Sequence, residues 1–173
     1  MTPIGAGRGV ADAGTPRTIR RLGLRVAFVG FSDINPAGFV AGRTRPGTLA
    51  ANPASVKRSV HRASRGADVV ITTFHWGVER STHPNGRQRA LDRLALAAGA
   101  DAVIGAHPHV LQPVQKRGRR VVAYSLGNFV WSAGSAITAR TGILKLRLSR
   151  RGVERSSLLR AHIAGTRPRL RRH

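Results

Sequence analysis

Two histidines, His107 and His109, are separated by one residue directly after the apolar run Asp101–Gly105. The residue between them, Pro108, restricts the backbone of its predecessor to extended conformations, in which side chains two positions apart point to the same side. Neutral imidazole is the commonest metal ligand among protein side chains, so a pair placed in this way can face one divalent ion jointly. The pattern predicts a metal site, and its alternative is a pair of histidines in a polar loop.

A third histidine, His75, directly follows the apolar and β-branched run Asp68–Phe74. A lone histidine after a strand is most often hydrogen-bonded within the fold, but beside the other pair it brings three imidazoles to one crevice. Three nitrogen ligands suit Zn²⁺, Mn²⁺ or an iron ion with open coordination positions. Glu79, four residues further on, is predicted to orient an imidazole or to act as a base on water, or alternatively to pair with Arg80 at the surface.

Asn128, in a turn after the apolar run Arg120–Tyr124, completes the set of candidates. Its amide can donate to a phosphoryl or carbonyl oxygen of a substrate, although turns favour asparagine for local reasons as well. We therefore predict a site with two kinds of residue. The metal ligands are His75, His107 and His109, and the catalytic residues are Glu79 and Asn128.

The elements that must position these side chains alternate between strands and helices. Predicted strands at Leu24–Phe31, Asp68–Phe74 and Asp101–Gly105 are separated by predicted helices at Pro53–Ser64 and Asn85–Ala98. This order favours a parallel sheet covered by helices. Ligands of such sheets bind beyond the carboxyl ends of the strands, which is where the candidate residues stand.

The last third of the chain has a different pattern. A hairpin-like turn joins Val110–Gln115 to Arg120–Tyr124, and the alternating run Ile143–Leu148 turns back into a strand near Val153–Ile163. Residues 167–173 are rich in arginine and are predicted to be a frayed basic tail. The chain therefore divides into one domain, residues 1–166, and this tail.

Composition narrows the class of protein. A chain of 173 residues with 41% hydrophobic residues can bury a core, and the absence of cysteine excludes disulfides and thiolate metal sites. The formal net charge of +23 suggests an anionic partner, but the arginines are scattered through every segment and few aromatic residues accompany them. Specific binding of nucleic acid is therefore not expected, because a single-strand binding surface needs stacked aromatic side chains.

Three blocks of sequence carry a specific resemblance to a known family. They are His75-Trp76-Gly77-Val78-Glu79, Gly99–Gln112 and Tyr124–Phe129. Their order and spacing resemble the CapA (poly-γ-glutamate capsule synthesis) family, which belongs with the calcineurin-like metallophosphoesterases. The resemblance implies an α/β fold, namely a partial sandwich of mixed β-sheets flanked by helices. It also implies a two-metal centre to which His75 and the closing pair His107 and His109 contribute.

The same comparison reveals a departure from the superfamily pattern. The Asp-x-His, Gly-Asp and Gly-Asn-His motifs, which supply carboxylates and the bridging ligand, have no counterpart in this sequence. The resemblance thus implies the C-terminal portion of a longer protein, with a secretion signal or membrane anchor upstream of Met1. We expect the isolated chain to be inactive and to self-associate through the strand at Asp68–Phe74 or Asp101–Gly105, left with an uncovered edge or face.

The leading hypothesis is a truncated CapA-like, metal-dependent hydrolase domain associated with the synthesis of capsule or another cell-envelope polymer at the outer face of the bacterial membrane. Its cofactors would be divalent ions (Mn, Zn or Fe), two of them in the complete protein, and its partner an anionic polymer or a phosphoryl-containing substrate. One alternative is a catalytically defective remnant that binds one metal ion or an anionic polymer. A basic nucleic-acid-binding protein is the other.

Overall fold

The structure, a computed structural model, describes residues 2–170. Its elements in chain order are β1 (Ala6–Gly7), α1 (Val10–Ala13), β2 (Arg17–Arg21), β3 (Leu24–Ser32), β4 (Gly47–Thr48), α2 (Pro53–Ser64), β5 (Val69–His75), α3 (Gly86–Ala97), β6 (Ala102–Ala106), β7 (Val114–Arg117), β8 (Arg120–Ala123), β9 (Arg140–Ser149), β10 (Gly152–Ala164) and β11 (Arg167–Leu170).

Six strands form the central sheet, in the order β2-β3-β5-β6-β8-β7. The four inner strands are parallel, and an antiparallel strand closes each edge. One face of the inner strands is covered by helices and part of the other face by a second sheet, which is why their sequences are largely continuous apolar runs rather than alternating ones. The predicted parallel sheet is confirmed. The predicted uncovered edge is wrong, because β5 and β6 are hydrogen-bonded on both sides.

Two helices pack on one face of this sheet, and local sequence sets where each begins. Asn52 accepts a hydrogen bond from the amide of Ser55 and so caps α2. Asn85 and Gln88 form a reciprocal capping box at the start of α3. Helix α2 has the predicted bounds, whereas α3 is one residue shorter at each end than predicted because its first and last predicted residues are the caps.

A second sheet, in the order β11-β10-β9, covers part of the opposite face. Its leucines Leu144, Leu146 and Leu148 pack with Val153 against apolar residues of β5, β6 and β8. The arrangement confirms the predicted α/β fold with mixed sheets flanked by helices. Within residues 2–170, no helix has the length and apolar character needed to cross a bilayer.

The predicted basic tail begins with ordered structure. Arg167–Leu170 forms β11, which pairs antiparallel with the Ala161–Ala164 end of β10 after a turn in which Gly165 has a φ of 58°. Backbone pairing with a long neighbouring strand holds this segment, and local composition does not signal such pairing. The remainder of the predicted tail, residues 171–173, lies outside the described residues.

Candidate metal centre

The carboxyl ends of three parallel strands bring the first histidine of the site beside the second. Ser32, His75 and Ala106 lie side by side in the register of β3, β5 and β6. His107 follows immediately, and its ring centroid is 4.7 Å from that of His75. The parallel sheet thus places two histidines from distant parts of the sequence at one edge.

Glu79, His107 and His109 form the tightest group of potential metal ligands. One ligand atom from each residue lies within 4.8 Å of the others, with Glu79 exposed and both histidines half-buried. Two imidazoles and one carboxylate suit a divalent ion such as Zn²⁺ or Mn²⁺. The ion pairs among residues 2–170 do not include one between Glu79 and Arg80, which was the alternative interpretation of this glutamate. The metal-binding roles of these side chains stay predictions.

The backbone around the histidine pair differs from the extended geometry expected of it. His107 has a φ of 101° and His109 a φ of 59°, both in the left-handed region that side-chain-bearing residues rarely adopt. The chain turns at this point because the carbonyls of Ala106 and Pro108 accept hydrogen bonds from the amides of Trp76 and Arg80. A turn, not a strand, therefore brings the two rings to one side, with centroids 6.0 Å apart.

The left-handed backbone of His107 costs conformational free energy that a glycine at this position would not incur. We expect the His107→Gly variant to be about 1 kcal/mol more stable than His107→Ala in metal-free buffer, because strain of this kind costs about 1–3 kcal/mol and the greater flexibility of unfolded glycine offsets part of it. Both variants lack the imidazole, so chemical denaturation compares the backbone effect alone. A glycine variant that is no more stable than the alanine variant would show that the turn carries no strain.

The side chain of Asn128 contacts His109. Its side-chain nitrogen donates to the carbonyl of Thr138 at 3.3 Å, and its oxygen lies 2.7 Å from His109 Nδ1. With the oxygen facing it, Nδ1 carries the hydrogen, which leaves Nε2 free to accept a metal ion. Asn128 is buried, and both ends of its amide contact other protein groups in this structure; its donation to a substrate oxygen stays a prediction.

The surroundings of His75 favour its neutral form, which is the form that can bind a metal ion. Desolvation by burial, followed by the neighbouring rings of His107 and His109, holds the pKa of His75 below its usual value. A lowered pKa keeps the imidazole neutral near pH 7, and the neutral form is the one that binds metal.

Carboxylates other than Glu79 are engaged elsewhere. Asp33 follows β3 at the same sheet edge, but Arg87 binds its carboxylate at 2.8 Å. Asp12 pairs with Arg17. Asp92 is buried and binds both Arg117 and Tyr124. The carboxylate deficit predicted from the sequence thus holds at this edge of the sheet.

Several residues that shape the site were not singled out by sequence reasoning. Gln112 is buried, accepts from Gln88, and donates to the carbonyls of Ser81 and His83, which holds the loop that follows β5. The exposed ring of Trp131 lies 5.7 Å from that of His109. A glutamine at the end of one of the three recognisable blocks was the available signal for Gln112, whereas nothing in the sequence marked Trp131.

A cleft of about 460 Å³ opens beside the metal-ligand group. Two of the three ligand residues, Glu79 and His109, line it together with Arg80, Asn128 and the aromatic ring of Trp131. The cleft can therefore hold a molecule that carries an anionic group next to a metal ion.

Comparisons with known proteins agree with this geometry. The family model described as bacterial capsule synthesis protein PGA_cap matches residues 1–133. The chain is 37% identical over 153 residues to the PGA biosynthesis protein CapA of Bacillus subtilis, and 35% identical over 153 residues to the capsule biosynthesis protein CapA of Bacillus anthracis. These alignments cover 88% and 86% of the chain but only 40% and 37% of the relatives.

Solved structures with the same fold are more distant in sequence. A hypothetical protein from Thermus thermophilus is 14% identical with a TM-score of 0.55, over 84% of this chain and 60% of the other. The sulfate thiohydrolase SoxB of the same organism is 23% identical with a TM-score of 0.51, over 83% of this chain and 24% of SoxB. At these identities the likeness concerns the fold alone. The family match and the CapA relatives confirm the resemblance described above: the chain belongs to the bacterial capsule synthesis protein PGA_cap family.

Proposed function

We propose that this chain provides the histidine-bearing part of a metal-dependent hydrolytic centre that serves capsule synthesis. The observation that carries the proposal is the Glu79, His107 and His109 group at the carboxyl edge of the sheet, with His75 beside it, in a chain of this family. A divalent ion held there supplies Lewis-acid activation of water. The ion would be Mn²⁺, Zn²⁺ or iron.

The side chains of the site have distinct tasks in this proposal. His107 and His109 hold the ion through ring nitrogens, and Asn128 keeps His109 in the tautomer that can do so. Glu79 supplies negative charge to the group, and His75 extends the set of imidazoles toward the centre of the sheet. A second ion would need further carboxylates, because Asp33 is committed to Arg87.

The adjoining cleft supports a substrate with an anionic group, either a phosphoryl-containing molecule or part of an anionic polymer. Arg80 lines this cleft, and the described structure gives its side chain no carboxylate partner. A guanidinium binds phosphate or carboxylate oxygens in a bidentate manner. The names of the two CapA relatives support a capsule polymer as the pathway product and the cell envelope as the location. We propose poly-γ-glutamate as that polymer and the outer face of the envelope as the place where it is handled, on the basis of the family resemblance.

Orthovanadate, a mimic of a phosphoryl group under attack, tests the proposal without requiring turnover. We expect the 173-residue chain to retain vanadate only in the presence of Mn²⁺, and the His107→Ala, His109→Ala variant to retain none. Hydrolysis of bis(p-nitrophenyl) phosphate is measured in the same samples. Turnover that needs both Mn²⁺ and the histidines would establish a hydrolase directly, and the single carboxylate of the group predicts that any such turnover is slow.

One observation favours a second candidate, a metal-binding module without catalysis. Among the described residues, Glu79 is the one carboxylate in the ligand group. Without a second carboxylate to bridge two ions, the group is best suited to a single ion. This candidate predicts one bound ion per chain, no metal-dependent retention of vanadate and no turnover. The proposed assay therefore separates the two functions.

A further inference from the structure

A row of basic side chains crosses the second sheet. Arg140 on β9, His162 on β10 and Arg169 on β11 are direct cross-strand partners. Partners of this kind have Cα atoms about 4.5–5.5 Å apart. Arg160 and Arg167 stand two positions along from His162 and Arg169, on the same face by the strand alternation. We call these five exposed residues the cationic patch.

The cationic patch continues the face that packs on the central sheet. Leu144, Leu146 and Leu148 occupy that face of β9 where it is covered, and Arg140 occupies it at the other end of the strand. Beyond the irregularity between Val153 and Arg155, the alternation along β9 and β10 is regular while the face changes from apolar to basic. At the end of β9 that lies beyond the core, this face carries exposed arginines that a ligand can contact.

The described structure holds no carboxylate against this patch. Five of the seven carboxylate side chains form ion pairs elsewhere, namely Asp12, Asp33, Asp68, Asp92 and Glu154. Asp101 accepts a hydrogen bond from the backbone of β5, and Glu79 is in the metal-ligand group. The four arginines lie on one face, with His162 between Arg140 and Arg169, so an external anion would offset a concentration of positive charge that the protein itself leaves uncompensated.

A groove adjoins two of these arginines. It has a volume of about 440 Å³, and Arg140 and Arg160 line it together with apolar side chains from both sheets and their loops, among them Leu111, Val114, Ile137 and Leu158. The groove and the patch lack phenylalanine, tyrosine and tryptophan. Nucleic acid bases would find no stacking partner there, whereas a flexible chain with an aliphatic backbone and charged side groups would find both apolar contacts and guanidinium groups.

We propose that the cationic patch and its groove bind a linear polymer that carries carboxylate groups. Strand β9 connects the patch with the metal centre, because the hydroxyl of Thr141, next to Arg140, donates to the carbonyl of Asn128, whose side chain contacts His109. The inference deepens the proposed function, on which it rests, by naming the class of substrate and the surface that guides it. Its test requires neither metal nor turnover, so the two proposals can fail separately.

The test measures binding of fluorescent poly-L-glutamate to the full 173-residue chain in buffer with EDTA. The triple variant Arg140→Gln, Arg160→Gln, Arg169→Gln removes three charges from the patch. We expect it to bind about tenfold more weakly at about 0.15 M salt, a loss of about 1.4 kcal/mol spread over three exposed arginine–carboxylate contacts.

A matched control removes the same charge from another arginine-rich surface. Arg20, Arg21 and Arg150 line a separate cleft at the amino end of the central sheet, and their replacement by glutamine is expected to reduce affinity by less than about threefold. Equal losses in the two triple variants would overturn the proposal, because attraction by net charge alone would then explain binding. Preferential binding of single-stranded DNA that depends on the patch would overturn it in favour of nucleic acid.

A second measurement keeps the proposal testable if the variant binding data are compromised by misfolding. Removal of clustered arginines is expected to raise the midpoint of thermal unfolding at low salt, and added poly-L-glutamate is expected to raise it more for the wild type than for the triple variant. A wild-type midpoint that does not respond to the polymer would contradict the inference.

Discussion

The His107→Ala, His109→Ala variant is expected to bind Mn²⁺ or Zn²⁺ at least about 100-fold more weakly than the wild type. Loss of a residue that merely orients a ligand already weakens metal binding by about 10–100-fold, and this variant removes two direct ligands of the proposed site. Within the described part of the chain, Glu79 would remain as a lone exposed carboxylate. Isothermal titration calorimetry at about pH 7.5 measures the effect.

Two further variants make this experiment specific. His75→Ala should cause a smaller loss, because His75 contacts His107 but lies outside the tightest ligand group. His61→Ala removes an exposed histidine from α2 and should leave affinity unchanged. Unaltered affinity in the double variant would refute metal binding at this sheet edge, and an effect of His61 equal to that of the pair would indicate nonspecific binding.

The largest expected effect on stability is that of Gly105→Ala, at about 3 kcal/mol of unfolding free energy. A Cβ atom at this position would lie 2.0 Å from the carbonyl oxygen of Tyr124 and 2.1 Å from Trp76 Nε1. These two atoms are joined by a hydrogen bond of 2.9 Å, and both residues are fully buried. The substitution must break that bond or separate β6 from the segment that follows β8.

Denaturant titration, with Gly86→Ala as control, isolates this steric effect. Gly86 begins α3, and a Cβ atom there would meet open space. The control therefore measures how a glycine-to-alanine replacement changes stability through the unfolded chain, without a steric clash. Because Gly105 is two residues before His107 and lies against Trp76, the residue after His75, metal affinity should fall together with stability. A Gly105→Ala protein as stable as the control would mean that Trp76 can move aside without cost.

Local chemistry made much of the fold predictable. The two long helices begin at asparagine caps, and β3, β5 and β6 are apolar runs between polar boundaries. Short segments of sequence were therefore sufficient to predict these five elements. In contrast, Arg17–Arg21 was not predicted as a strand, since four of its five residues are exposed and its sequence does not alternate. It forms β2 because the edge of β3 offers backbone partners.

The sequence by itself determined which side chains meet. Parallel strands end at one edge, so residues that directly follow β5 and β6 had to lie close together, and the blocks around His75, His107 and Asn128 were sufficient to indicate the family.

Only the tertiary structure decided how those side chains are used. It placed His107 and His109 in a turn instead of a strand, directed Asn128 to His109, and committed Asp33 to Arg87. It also assembled the cationic patch from three strands. The physical reason is that each of these outcomes depends on hydrogen bonds or charges from residues distant in sequence, and spacing along the chain does not encode such contacts.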